Sequence, residues 1–462
     1  MSKDIQKKKV LSRDISSTVK MPKHLEHINI HAAGIDIGAT SHFVAVPEGS
    51  SETLVREFKS FTTDLYALAD WLQECGVQTI AMESTGVYWI PLYEILEKKG
   101  FEVKLVDARQ VKNVSGRKTD ILDCQWIQQL HTYGLLNAAF RPGDEICELR
   151  SYVRQRSMLV SSASRYIQQM QKALTQMNLK LQHVIRDITG ETGMKIIRLI
   201  VSGERDSNVL AQNRDYRCKS STDEIKAALT GNYRAEHLFA LKQSLELYDY
   251  FQEKIKDCDI EIEKKVTGFA SHAKASDISE ENLNPNKKRK SKGTPDFDLA
   301  KELHRFVGVD LLAVPGINAL SALQLIGEIG VDMSRWENAK QFSSWLGLCP
   351  GNKVSGGKRL SGKTKASNNR AASVLRIAAA TLWRSSSALG AYLRRLKSSK
   401  GPMKAITATA HKLAKIIYNM LSQGIEYIEV GQAYYDEQYR DRVLKNLKRK
   451  ASEFGLKLVE AT

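Results

Sequence analysis

Between residues 31 and 144 the apolar positions fall in short runs separated by amphipathic stretches. "HAAGIDIG" and "HFVAVPE" read as a hairpin-like pair of strands, "TLVREF" as a third strand and "VQTIAMES" as a fourth. "TDLYALADWLQEC", between the third and fourth, has helical spacing; "YWIPLYEILEKKG" repeats it and stops at Gly100, ahead of a fifth strand, "FEVKLVD". From 145 to 270 strand signals largely vanish. Two long stretches, "CELRSYVRQRSMLVSSASRYIQQMQKALTQMNLKLQHVI" and "AEHLFALKQSLELYDYFQEKIKDCDIEIEKKV", predict an antiparallel helical hairpin that turns around Gly190 and Gly193. Its seam is rich in Leu and Met, and Met158, Met170 and Met177 are expected in its packing. Residues 271–300 are polar and read as a linker, and residues 1–30 as a basic flexible arm; His24, His27 and His31 cluster around its end without a further ligand set. Residues 301–462 are mostly helical and open with "LLAVPGINALSALQLIGEIG", two helical segments broken at Pro315-Gly316. The segment resembles a helix-hairpin-helix, which can hold a backbone phosphate on its turn amides, and it equally fits a plain helical hairpin in a core; Asn318, standing where glycine is usual, tolerates left-handed geometry.

Charge adds a partner to this outline. The chain has 462 residues and a formal charge of +17, which favours nucleic acid or an acidic surface. Sixteen Lys or Arg and no acidic residue lie between 338 and 425, so this block is the electrostatic footprint. The six cysteines form no C-x-x-C pair, which argues against a zinc site or a disulfide framework. No apolar run reaches the roughly eighteen residues of a membrane span, and the first residues lack a signal-peptide core. A cytoplasmic protein with no membrane partner is expected.

Candidate chemistry centres on carboxylates. Asp36 lies in the apolar run "GIDIG", where an ionised group needs a cation or hydrogen bonds; Glu83 ends the run "TIAMES" ahead of Thr85-Gly86. In "GRKTDILDC", Asp120 and Asp123 stand three apart on one helical face, beside Arg117 and Lys118. The pair fits ordinary surface ion pairing, and together with Asp36 and Glu83 it also fits a hard oxygen ligand set for Mg²⁺. In "PGNKVSGGKRLSGKTKASNNR", Gly356 and Gly357 allow close backbone approach, and Lys353, Lys358, Arg359, Lys363, Lys365 and Arg370 can meet phosphate. Ser355, Ser361 and Ser367 are all possible nucleophiles in this glycine-rich loop, which could equally bind phosphate alone.

The order of three antiparallel-type strands followed by β-α units is that of a ribonuclease-H-like domain. "GIDIG", "AMESTGVYW", "GRKTDILDC" and "GLCPGNKVSGG" resemble the DEDD-type insertion-sequence transposases, bridge-RNA-guided serine recombinases, and the resemblance covers nearly all of residues 31–440. It implies an α/β RuvC-like domain (31–144), a helical coiled-coil middle (145–270) and a mostly α C-terminal transposase domain (301–462). It implies Asp36, Glu83, Asp120 and Asp123 as catalytic acids that bind Mg²⁺, and Ser355 as the catalytic serine. The implied partners are donor and target DNA, a structured noncoding guide RNA, and further copies of the chain: dimers pairing into tetramers, with acids of one protomer meeting the serine of another. Three rival classes are an actin-like sugar kinase, an architectural nucleic-acid-binding protein and a RuvC-like junction nuclease. The kinase needs a second glycine-rich phosphate loop and an adenosine motif that the chain lacks, the architectural protein leaves the four acids unexplained, and the nuclease gives the serine no task.

Overall fold

The computed structural model describes residues 28–84, 86–107, 111, 120–272 and 293–459. Most of the arm and the linker, with Arg117 and Lys118, therefore lie outside the described residues. The chain divides into two compact units, Met1–Arg141 and Pro142–Thr462.

The first unit is built on a five-stranded sheet of order β3-β2-β1-β4-β5. Its strands are β1 (Ala32–Ile37), β2 (Ser41–Ala45), β3 (Val55–Lys59), β4 (Thr79–Glu83) and β5 (Glu102–Val106). The first three run antiparallel, with Asp36 opposite Phe43, and β1, β4 and β5 run parallel, with Ile35 opposite Met82 and Glu83 opposite Val106. Alternation along β1 sorts its side chains. Ile35 and Ile37 join Val44 and Phe58 under α1 (Thr62–Glu74) and α2 (Trp89–Lys98), against Leu68, Leu72, Leu92 and Leu96. Ile35 and these four leucines are fully buried, each worth about 1.5–3 kcal/mol of burial.

Gly34 and Asp36 share the other face of β1. A Cβ at Gly34 would stand 2.2 Å from the Gln128 nitrogen and 2.5 Å from the Cys124 carbonyl, so glycine is what lets the helix Asp120–Thr132 lie directly on the strand. The helix is tied down along its length. Trp126 Nε1 donates to the Val111 carbonyl (3.2 Å), Gln128 Nε2 to the Ala32 carbonyl (3.2 Å), and His131 Nε2 meets Thr79 Oγ1 at 2.9 Å. This mixed sheet with its flanking helices is consistent with the expected ribonuclease-H-like domain.

In the second unit the helices Asp144–Gln176 and Ala235–Gly268 pack antiparallel, as the apolar spacing predicts. Arg156 pairs with Asp259 at 2.5 Å, and the Tyr166 and Phe251 rings stack with centres 5.5 Å apart. Met170 and Met177 are buried, but Met158 is 49% exposed and faces away from the seam. The connection is not a turn at Gly190 and Gly193. It contains the helix Glu191–Ser202 and shorter helices at Leu181–Val184, Ser207–Ala211 and Thr222–Ala228. Gly193 lies inside the helix and serves packing, since a Cβ there would sit 2.2 Å from the Ile188 carbonyl oxygen.

The remainder of this unit is mainly helical. The segment 311–330 departs from two helices around a turn: Leu311–Ala313 is a single 3-10 turn, and Ala319–Ile329 is the helix that follows. Gly316 takes the left-handed conformation (φ 89°), whereas Asn318 is extended (φ −112°) and caps the helix. Its side chain accepts from the Ser321 amide at 2.8 Å, and Ser321 Oγ accepts from the Asn318 amide at 2.8 Å.

Candidate active site

The carboxylates converge at the ends of three elements of the first unit. Asp36 is near the end of β1, Glu83 is the last residue of β4, and Asp120 and Asp123 occupy the first turn of the helix Asp120–Thr132. Acids suit that turn, because the unpaired amides of a helix start favour negative charge. Asp36 feels all of them. Burial first, then the carboxylates of Asp123, Asp120 and Glu83, raise it from 3.8 to about 6. The Cys124 thiol is pushed up to about 12, by burial and then by Asp36, so it stays protonated beside these carboxylates. Among the described residues, however, no group of three or more His, Cys, Asp or Glu is gathered closely enough to hold a metal ion. Like charges in partial burial stay apart unless a cation stands between them.

The chain beyond β4 shapes the rim. Ser84 bonds the Val106 carbonyl twice, through its amide and its hydroxyl, each at 3.0 Å, and Gly86 turns the backbone left-handed (φ 57°). Val87, Tyr88, Ile121 and Leu122 are exposed large side chains in the segments that carry Glu83 and Asp120. They lie within "AMESTGVYW" and "GRKTDILDC", two of the stretches that carry the family resemblance.

Ser355 belongs to the second unit. The segment around it is not an irregular loop but a two-stranded hairpin, β6 (Lys353–Ser355) and β7 (Lys358–Ser361). Gly356 (φ 54°) and Gly357 (φ 74°) form its two-residue turn, a geometry that requires positive φ at both positions. Ser355 pairs with Lys358 across the hairpin and is exposed. The rival serines have local work: the Ser361 hydroxyl accepts from the Lys363 amide at 3.3 Å and the Ser367 hydroxyl from the Asn369 amide at 3.1 Å. Lys358, Lys363, Lys365 and Arg370 are all exposed, and Lys353 and Arg359 lie in the paired strands.

Residues 33–179 match a family model described as DEDD_Tnp_IS110, Transposase, and residues 299–394 match a second, described as Transposase IS116/IS110/IS902 family. The chain belongs to this transposase family. The first match takes in Asp36, Glu83, Asp120 and Asp123, and the second takes in Ser355. This transposase is also 29% identical over 130 residues to the putative transposase y4pF/y4sB of Sinorhizobium fredii (strain NBRC 101917 / NGR234). That alignment covers 27% of the transposase and about a third (33%) of the relative's length.

Proposed function

We propose that this transposase breaks and rejoins DNA strands, with Ser355 as nucleophile, the four acids as holders of a divalent cation, and a structured RNA choosing the target. The observation that carries the reading is the placement of Asp36, Glu83, Asp120 and Asp123 at the ends of β1, β4 and the helix Asp120–Thr132, where burial and the other three carboxylates raise Asp36 to about 6. A chain that folds three carboxylates toward a fourth loses stability by it, and a cationic ligand offsets that loss. Oxygen donors alone suit a hard ion such as Mg²⁺. When bound, Mg²⁺ would lower the charge barrier to attack on a phosphodiester and help ionise an attacking hydroxyl.

The residues of the chain then have separate tasks. Asp36, Glu83, Asp120 and Asp123 would hold the ion beside the reacting phosphate. The exposed Ser355 hydroxyl attacks phosphorus, its proton leaves, and a DNA hydroxyl departs; the phosphoserine ester keeps the bond energy until a DNA hydroxyl reverses the step. Lys358, Lys363, Lys365 and Arg370 neutralise flanking phosphates without reading bases. Base pairing with RNA supplies the sequence choice. The protein works as a dimer that pairs into a tetramer, acids and serine coming from different protomers, and the antiparallel hairpin sets their spacing as a coiled coil.

Strand cleavage tests this. With Mg²⁺, the RNA that copurifies and DNA bearing the element's ends, wild type cleaves, whereas Asp120→Asn, with an intact melting transition, does not. Cleavage by Asp120→Asn at the wild-type rate refutes the acid site, and copurified RNA made of random cellular fragments refutes the guide.

A further inference from the structure

The acid-free block does not spread all of its charge evenly. Where the helices Ala388–Lys400, Pro402–Gln423 and Gly431–Glu453 meet, two cations share the same aromatic rings. The Arg395 guanidinium lies 5.5 Å from the Tyr392 ring centre, 5.9 Å from Tyr435 and 4.3 Å from Tyr439. The Lys412 ammonium lies 4.7 Å from Tyr392 and 5.6 Å from Tyr435. The rings are themselves fixed: Tyr392 and Tyr435 meet edge to face at 6.2 Å, and Arg395 Nε donates to the Tyr435 hydroxyl at 2.7 Å.

Burial, and then the positive charges of Arg395 and Arg442, hold the Lys412 ammonium below its usual range. Glu429 is the carboxylate that opposes this effect. Its oxygens already accept from the Ala388 amide (2.9 Å), the Gly431 amide (2.7 Å) and the Tyr427 hydroxyl (2.8 Å), so it is committed to capping. Among the described residues Arg395, Lys412 and Arg442 make no ion pair. Ring faces attract cations but carry no net charge, and cations that lack an ion-pair partner are the complement of a phosphate.

We propose that Arg395, Lys412 and Arg442 form a phosphate-binding cradle separate from the serine hairpin, and that it grips one phosphate of a nucleic-acid backbone. The tyrosines hold Arg395 and Lys412 in place, so the anion meets cations that are already ordered. The choice of nucleic acid over a free phosphate compound rests on the function proposed above; the cradle itself does not.

Thermal unfolding of the full-length protein tests the cradle, with inorganic phosphate against chloride at matched ionic strength. Wild type should melt higher in phosphate. Lys412→Met, which keeps an unbranched apolar chain on the rings, should lose that gain and melt above wild type in chloride, because a repelled cation has been removed. Arg442→Gln changes an exposed position on the last helix and should lose the phosphate gain without a folding defect. If Lys412→Met melts below wild type in chloride and either variant keeps the full phosphate gain, the cluster is packing alone and the cradle is refuted. The log-affinity against log-salt slope for a generic RNA or DNA duplex identifies the source: a fall of roughly one in Lys412→Met assigns a backbone phosphate. An unchanged slope with the phosphate gain abolished overturns that assignment in favour of a free phosphate compound.

Discussion

Replacing Asp36 by Asn should make the transposase more stable while removing its chemistry. Asp36 is raised from 3.8 to about 6, by burial and then by Asp123, Asp120 and Glu83. At about 1.4 kcal/mol per pH unit this corresponds to ~3 kcal/mol, and because the group is partly exposed, solvent screening reduces it to ~1.5 kcal/mol. The sign follows from linkage. A carboxyl that holds its proton more tightly when folded stabilises the fold below pH 4, and that stabilisation is lost as pH rises through 6. At pH 7 without divalent ions, Asp36→Asn should therefore raise the melting temperature of the first unit by roughly 5 °C. At pH 4 the two proteins should differ little. Adding Mg²⁺ should raise the wild-type transition and leave the Asn variant nearly unmoved, since an ion that binds only the folded state stabilises by mass action. An Asn variant that melts at or below wild type at pH 7 would refute the claim that four acids press on one another here.

Further outcomes follow from other parts of the molecule. Gly34→Ala drives a Cβ to 2.2 Å from the Gln128 nitrogen, backbone that cannot swing aside, so urea unfolding should show a loss of about 1–3 kcal/mol and cleavage should fall as Asp120 and Asp123 move off β1. Burial first, then the Lys104 charge, lowers His131 to about 4, so its contribution to stability is present above pH 6.5 and is lost as pH falls toward 4. This slope opposes that of Asp36, so across that window stability should rise with pH in Asp36→Asn and fall with pH in His131→Gln, with wild type between the two. Changing Lys358, Lys363 and Lys365 together to Ala should reduce the salt slope of nucleic-acid binding by roughly one per lost phosphate contact, while an unchanged slope would move the footprint away from the serine hairpin.

The strands were legible because they follow from local periodicity, which also places the candidate acids on their elements. Asp36 interrupts an apolar run of period two, Glu83 ends another, and Asp120 and Asp123 sit at helical spacing, so each position could be read from its neighbours. What was not legible depends on distant contacts. Nothing near Gly34 in the chain announces that the backbone at Cys124 and Gln128 will lie on it. The stretch "VSGGKRLS" reads as a phosphate loop by composition, yet alternation around two adjacent glycines is also a hairpin signal, and the hairpin is what forms. Gly190 and Gly193 suggested a reversal, but Gly193 is required by packing against Ile188. Asn318 tolerates left-handed geometry, but its stronger tendency to cap a helix prevails. Met158 follows the same composition as Met170, and only the seam geometry leaves it exposed.

The serine chemistry is tested most directly by following labelled DNA after a rapid quench. With Mg²⁺ and the RNA that copurifies, end-labelled DNA should migrate with the wild-type protein on a denaturing gel and be released by protease. Ser355→Ala should bind the same nucleic acids, since the side chain is exposed and makes no bond among the described residues, yet form neither adduct nor exchanged strand. Ser361→Ala should still form both. Robust cleavage by wild type in which every labelled end is free of protein at the earliest times would contradict the covalent step and leave hydrolysis at the acid site as the reaction.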